Sequence, residues 1–147
     1  MKKMAERPCD GTQVKKTIGA AITISATAAS PIVVVADPQR IEQLLANLIS
    51  NAFKFTPSGG RVLVRARREG DRATLEVTDT GMGIPANEQQ QLFERFFRTS
   101  TATANAIPGT GLGLAIAKAI AEKHHGSIAF ESVEGAGTTF RVSLPAG

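Results

Sequence analysis

The sequence predicts a mixed α/β domain of two layers, and three observations predict it. Short β-branched or alternating runs recur along the chain, two longer stretches carry apolar residues at helical spacing, and Gly, Pro, Asn and Asp cluster between them. At 147 residues the chain is about one domain, long enough to bury a real core. It contains no internal repeat.

Residues 1–20 have no clear periodicity and read as an N-terminal arm, flexible, partly ordered or a short helix; residues 21–147 read as one domain. Ala21 to Ser25 alternates as a strand does, and Ile32 to Val35 is a second β-branched run. Asp37-Pro38 starts a helix, because Asp can cap orphan amides and Pro is tolerated where its missing N–H had no partner. Ile41, Leu44, Leu45, Leu48, Ile49 and Ala52 then form one apolar stripe, ending before Pro57-Ser58-Gly59-Gly60. Strands follow at Arg61 to Arg67 and Ala73 to Thr78, joined by a turn at Glu69-Gly70-Asp71. Pro85 to Arg95 reads as a short helix leading into Phe93, Phe96 and Phe97, and Thr99 to Pro108 as a mobile loop poor in bulky residues. Leu112 to His125 reads as a second long helix, with Gly126 as its left-handed cap. Ser127 to Ser132 and Thr138 to Leu144 close the chain as a hairpin around Glu134-Gly135-Ala136-Gly137.

No apolar run approaches the ~18 residues of a membrane helix, and one cysteine, Cys9, leaves no internal disulfide and suits a reducing cytoplasm. The net charge of +4 invites a nucleic-acid reading. Arg61, Arg65, Arg67, Arg68 and Arg72 fall on an alternating strand as a solvated face would, and Trp and Tyr are absent for base stacking. An anionic ligand or acidic partner fits that charge better.

Three segments carry chemistry. Asn47, Asn51 and Lys54 share one helix face opposite the leucine stripe, offering amide oxygens to a hard cation and a point charge to phosphate. Asp79-Thr80-Gly81-Met82-Gly83 follows a strand; a carboxylate accepts from an exocyclic amine such as adenine's and rejects the carbonyl of guanine. Gly109-Thr110-Gly111-Leu112-Gly113 opens a helix, where free N–H groups and the dipole favour phosphate. Each alone is equally an ordinary polar face, an Asp-Thr-Gly turn or a glycine hinge. The Rossmann pattern fails because no strand directly precedes the glycines, and no Gly-Lys-Ser/Thr of a P-loop is present.

In this order the segments resemble the motif boxes of sensor histidine kinases. Asn47 to Phe55 is similar to the N box and Asp79 to Gly83 to the G1 box; Phe93 to Arg98 resembles the F box and Gly109 to Leu114 the G2 box. The resemblance runs from Asp37 to Pro145. It implies a Bergerat-type ATP-binding fold, a mixed and mainly antiparallel sheet covered on one face by helices, with ATP between helices and lid. Carried onto this chain, Asn51 ligates Mg²⁺, Asn47 supports the metal–phosphate site, Lys54 contacts phosphate and Phe55 lies near the adenine. Asp79 binds the adenine amino group in a pocket shaped by Gly81, Gly83 and Ile84; Gly109, Thr110, Gly111, Leu112, Gly113 and Leu114 bound the lid; Arg98 approaches the γ-phosphate or a partner domain. The gyrase, Hsp90 and mismatch-repair relatives carry a glutamate where this chain has Asn47, and an amide is a poor general base. Transfer is thereby favoured over hydrolysis.

The family's phosphoacceptor is a histidine followed by an acidic residue. Only His124 and His125 occur, at a helix end, and they read as solvated residues suited to the helix dipole. The expectation is an ATP-dependent protein-histidine kinase module of two-component signalling. Its acceptor, on a dimerisation domain in cis or on another polypeptide, would pass phosphate on to a response regulator. The expected setting is cytoplasmic, alone or as part of a membrane sensor. A serine kinase of the anti-sigma-factor type and a non-catalytic nucleotide sensor are the competing readings.

Overall fold

The computed structural model describes residues 2–5, 14–18, 22–28 and 32–147. Its strands are β1 (Lys2–Ala5), β2 (Val14–Ile18), β3 (Ile22–Ala28) and β4 (Val33–Ala36), followed by helix α1 (Pro38–Phe55) and strands β5 (Arg61–Glu69) and β6 (Arg72–Asp79). A 3₁₀ helix at Ala86–Gln91, a five-residue helix α2 (Ser100–Ala104) and helix α3 (Gly113–Lys123) precede strands β7 (Ser127–Val133) and β8 (Gly137–Pro145). The arm expected over residues 1–20 is described only at 2–5 and 14–18, where it is strand and not a short helix; its remaining residues lie outside the described ones.

Six strands form one sheet in the order β2-β3-β5-β6-β8-β7, with β3 and β5 parallel and every other pair antiparallel. The parallel pair is possible because β4 and α1 intervene as the crossover that a tight turn could not supply. Strand β4 leaves this sheet and pairs with β1.

Leu44, Leu48 and Ala52 on α1 and Ala117, Ile120 and Ala121 on α3 are buried against Val62, Val77, Phe140 and Val142 of the sheet. Both helices thus lie on one face, as a sheet with one apolar side requires. On the other face Glu76, only 8% exposed, accepts from Arg67 at 2.8 Å and Arg141 at 3.0 Å. Arg141 continues to Glu131 at 3.0 Å, so charges of alternating sign cross four strands and keep that face wet.

Helix α3 ends differently from the sequence expectation. The left-handed residue is His125, with φ 60°, and Gly126 is the residue after it. Gly126 N–H donates to Ala121 O at 2.8 Å and His125 N–H to Glu122 O at 3.1 Å, a Schellman closure. Gly126 is needed for space instead, since a Cβ there would stand 2.2 Å from Ser143 O.

Candidate functional site

Helix α1 presents the first wall. The Asp37 side chain caps it by accepting from Gln39 N–H at 3.0 Å, and Thr56 Oγ1 closes it on Ala52 O at 2.7 Å. With Ile41, Leu44, Leu48 and Ala52 turned into the core, Asn47, Ser50, Asn51, Lys54 and Phe55 line a cleft of about 350 Å³. Asn47 Nδ2 donates to Gly113 O at 3.2 Å, tying α1 to the first turn of α3 and leaving Oδ1 to accept.

His124 sets the angle between these helices. It is 7% exposed, Nδ1 donates to Ile120 O at 2.8 Å, and Nε2 accepts from Asp37 N–H at 3.1 Å. The Asp37 amide can only donate, so the ring is neutral with its proton on Nδ1. His124 is therefore a buried strut and not the solvated residue expected; His125 is exposed.

The floor is the β6 exit. Asp79 is 7% exposed and its Oδ1 accepts from Gly81 N–H at 2.8 Å. Burial pushes its carboxyl above the ordinary value of 3.8, opposed by the N–H groups of Gly81 and Thr138. Gly83 has φ 70°, and a Cβ there would sit 2.1 Å from Val133 O, so the loop lies directly on the β7–β8 hairpin. Gly135 N–H donates to Met82 O at 2.6 Å and completes that contact.

The third wall is the segment between Phe96 and Gly111, clasped at its base where Phe96 N–H donates to Gly111 O at 2.9 Å. Gly111 has φ 77°, and a Cβ would meet the Phe96 carbonyl carbon at 2.7 Å. Residues 99–108, expected as a mobile loop, contain α2. Thr99 caps it through Ala102 N–H at 3.1 Å, and buried Ala102 and Ile107 pin it down. Small residues there serve helix formation, which the scarcity of bulky side chains concealed. Arg98 lines the cleft while its guanidinium donates to Ile107 O.

The cleft brings together Asn47, Asn51, Lys54, Phe55, Gly83, Ile84, Arg98 and the run Gly109, Thr110, Gly111, Leu112, Gly113 and Leu114. Asp79 and Gly81 are not on its lining. Asp79 stands beside Thr138, its register partner across the β6–β8 pair, which does line the cleft. Thr138, Ser50, Leu92, Ile116 and Phe140 line it without having been singled out in the sequence. For Thr138 the sequence held no local signal, since only the pairing of β6 with β8 places it opposite Asp79. The three phenylalanines part company: Phe93 packs edge-on against Phe130 at 5.6 Å, Phe97 lines the cleft, and Phe96 is 70% exposed with φ 65°.

No cluster of three or more His, Cys, Asp or Glu suited to a metal occurs among the described residues. Among the oxygen donors on the cleft are the side-chain amides of Asn47 and Asn51, which suit a hard cation whose remaining ligands come from phosphate and water. No helix of the described residues is long and apolar enough to cross a membrane.

The family model for histidine kinase-, DNA gyrase B- and HSP90-like ATPases matches residues 36–147. The chain is 52% identical over 110 residues to the circadian input-output histidine kinase CikA of Synechococcus elongatus, a match covering 75% of this chain and 15% of that protein. Among solved structures it superposes on the mycobacterial sensor histidine kinase MprB with a TM-score of 0.74 and 36% identity, covering 86% of this chain and 83% of that one. Full-length ShkA in complex with AMPPNP gives a TM-score of 0.70 and 31% identity, covering 86% of this chain and 26% of that one.

Proposed function

This chain belongs to the family of histidine kinase-, DNA gyrase B- and HSP90-like ATPases, with the fold of histidine kinase catalytic domains, and from that premise we propose that it binds Mg-ATP and transfers the γ-phosphoryl group to a histidine on a separate domain or polypeptide. The observation that carries the proposal is one cleft of about 350 Å³ to whose lining all three chemical segments contribute residues. That volume falls within the range of roughly 300–1,000 Å³ usual for small-molecule sites.

The adenine enters toward Asp79, whose carboxylate accepts from the 6-amino group, with Phe55 and Ile84 as apolar neighbours. The phosphates run toward the start of α3, where the glycine-lined backbone and helix dipole receive negative charge. Lys54 supplies a mobile positive charge at the cleft mouth. Asn51 would hold Mg²⁺, with Asn47 supporting the metal–phosphate site, and the bound ion would neutralise the phosphate charge that builds up during transfer. Asn47, a neutral amide committed to Gly113 O, cannot take a proton from water. Catalysis here is positioning and charge stabilisation, and the nucleophile comes from the acceptor imidazole. Response regulators follow as indirect partners.

γ-Labelled Mg-ATP supplied with and without histidine-containing acceptor domains tests this. The expected outcome is binding without self-labelling, and acid-labile label on an acceptor. Stable label on this chain alone, or acid-stable label on the acceptor, would sink the proposal.

A further inference from the structure

One serine hydroxyl behind the cleft makes more contacts than any role in the hairpin requires. Ser132 Oγ accepts from Ile84 N–H at 2.9 Å, lies 3.1 Å from Gly137 O and lies 2.8 Å from Thr138 Oγ1. A hydroxyl has one proton and two lone pairs. All three contacts are satisfied together in one arrangement: Ile84 N–H and the Thr138 O–H donate to Ser132, and the Ser132 proton goes to Gly137 O. Thr138 Oγ1 then has only lone pairs left to present.

What Thr138 presents matters because of where it stands. It is 7% exposed and lines the cleft, and its register partner across the β6–β8 pair is Asp79. Cross-strand partners on one face have Cβ atoms about 4.5–5.5 Å apart, so both oxygens face the same part of a bound base. Gln89 locks the arrangement from behind. Its Nε2 donates to Ile84 O and to Ser132 O, each at 3.1 Å, so the Ile84 peptide is held at its N–H by Ser132 and at its carbonyl by Gln89.

We infer that Ser132 is a specificity-determining positioning residue: by taking the Thr138 proton it leaves the Thr138 hydroxyl an acceptor beside the Asp79 carboxylate, which selects a purine with an amino group at position 6 over one with a carbonyl there. The inference rests on the ATP reading above. Ser132 is not on the cleft lining; it acts through Thr138 and Ile84, which are. Loss of the Ser132 hydroxyl frees the Thr138 proton to point into the cleft, where it can pair with a 6-carbonyl and relieve the repulsion that excludes it.

The test is calorimetric titration of ATP and ITP into the full chain and its variants, each checked for folding by thermal melting. Ser132→Ala is expected to lower the ATP-over-ITP preference by about tenfold, the equivalent of one buried hydrogen bond gained or lost. Ser132→Thr, which keeps the hydroxyl, restores the preference. In a Thr138→Val background, Ser132→Ala changes it no further. Thr138→Val itself lowers the preference in the same direction, so the inference stays testable if Ser132→Ala folds poorly. Equal weakening of both nucleotides by Ser132→Ala, or an unchanged preference, overturns the inference and leaves Ser132 as a fastener of the hairpin. Failure of the unsubstituted chain to bind ATP would instead overturn the underlying reading.

Discussion

Asp79 faces two opposed demands. The fold buries it, and burial favours the protonated carboxyl; an incoming amino group favours the carboxylate. Its folded-state pKa is raised, so the stabilising contribution is present below 3.8 and is lost as pH rises through the higher folded value. At neutral pH the ionised group therefore weakens the unliganded fold. Asp79→Asn should melt at or above the temperature of the unsubstituted chain at pH 7, with the difference narrowing as the pH falls toward 3.8. The same variant should lose ATP affinity by at least about tenfold, since a neutral amide cannot replace the charged acceptor. A variant that is both less stable and unimpaired in binding would remove Asp79 from the site. Asp79 could be read in the sequence because its strand, its turn and its glycines are local. Thr138 and Ser132 could not be read that way, because their roles exist only once β6, β7 and β8 are in register.

At the scale of the elements, α1 and α3 were legible from their stripes and caps, whereas the device joining them was not. His124 lies at the end of one helix and accepts from the amide that precedes the other, 87 residues away. Position at a helix end suggested a solvated residue; burial and two hydrogen bonds make it structural. His124→Ala leaves the Asp37 amide and the Ile120 carbonyl without these partners, and should destabilise the chain by about 1–3 kcal/mol in denaturant unfolding. The loss should appear as a lower midpoint with unchanged slope. Likewise α2 was hidden because Ser, Thr and Ala predict little by themselves. Its cap at Thr99 and the docking of Ser100 on Glu88, with N–H to carboxylate at 2.9 Å, supply what propensity lacks.

For the whole molecule, the two-layer arrangement followed from patterning, but the parallel β3–β5 pair and the departure of β4 to β1 did not. Alternation says which face of a strand is buried and leaves partner choice open. The cleft depends on that global arrangement, since its walls come from segments far apart in sequence: the Asn47 amide meets a carbonyl 66 residues away. A partly folded chain therefore has no nucleotide site, and ATP binds the native state alone. At a concentration 100 times its Kd, ATP should stabilise the chain by about 2.7 kcal/mol. For a domain of this size that raises Tm by roughly 5–10 °C in a thermal melt. No shift at saturation would mean that the walls persist in the unfolded ensemble or that nothing binds between them.

The remoteness of those walls also bears on how long each molecule survives. Proteases cut opened chains, and their supply falls with the equilibrium between open and closed forms. Occupancy of the cleft shifts that equilibrium, so nucleotide-starved copies should be degraded sooner than charged ones. The geometry that gathers Asn47, Lys54 and Gly113 on one cleft thus ties the lifetime of the folded chain to its nucleotide supply.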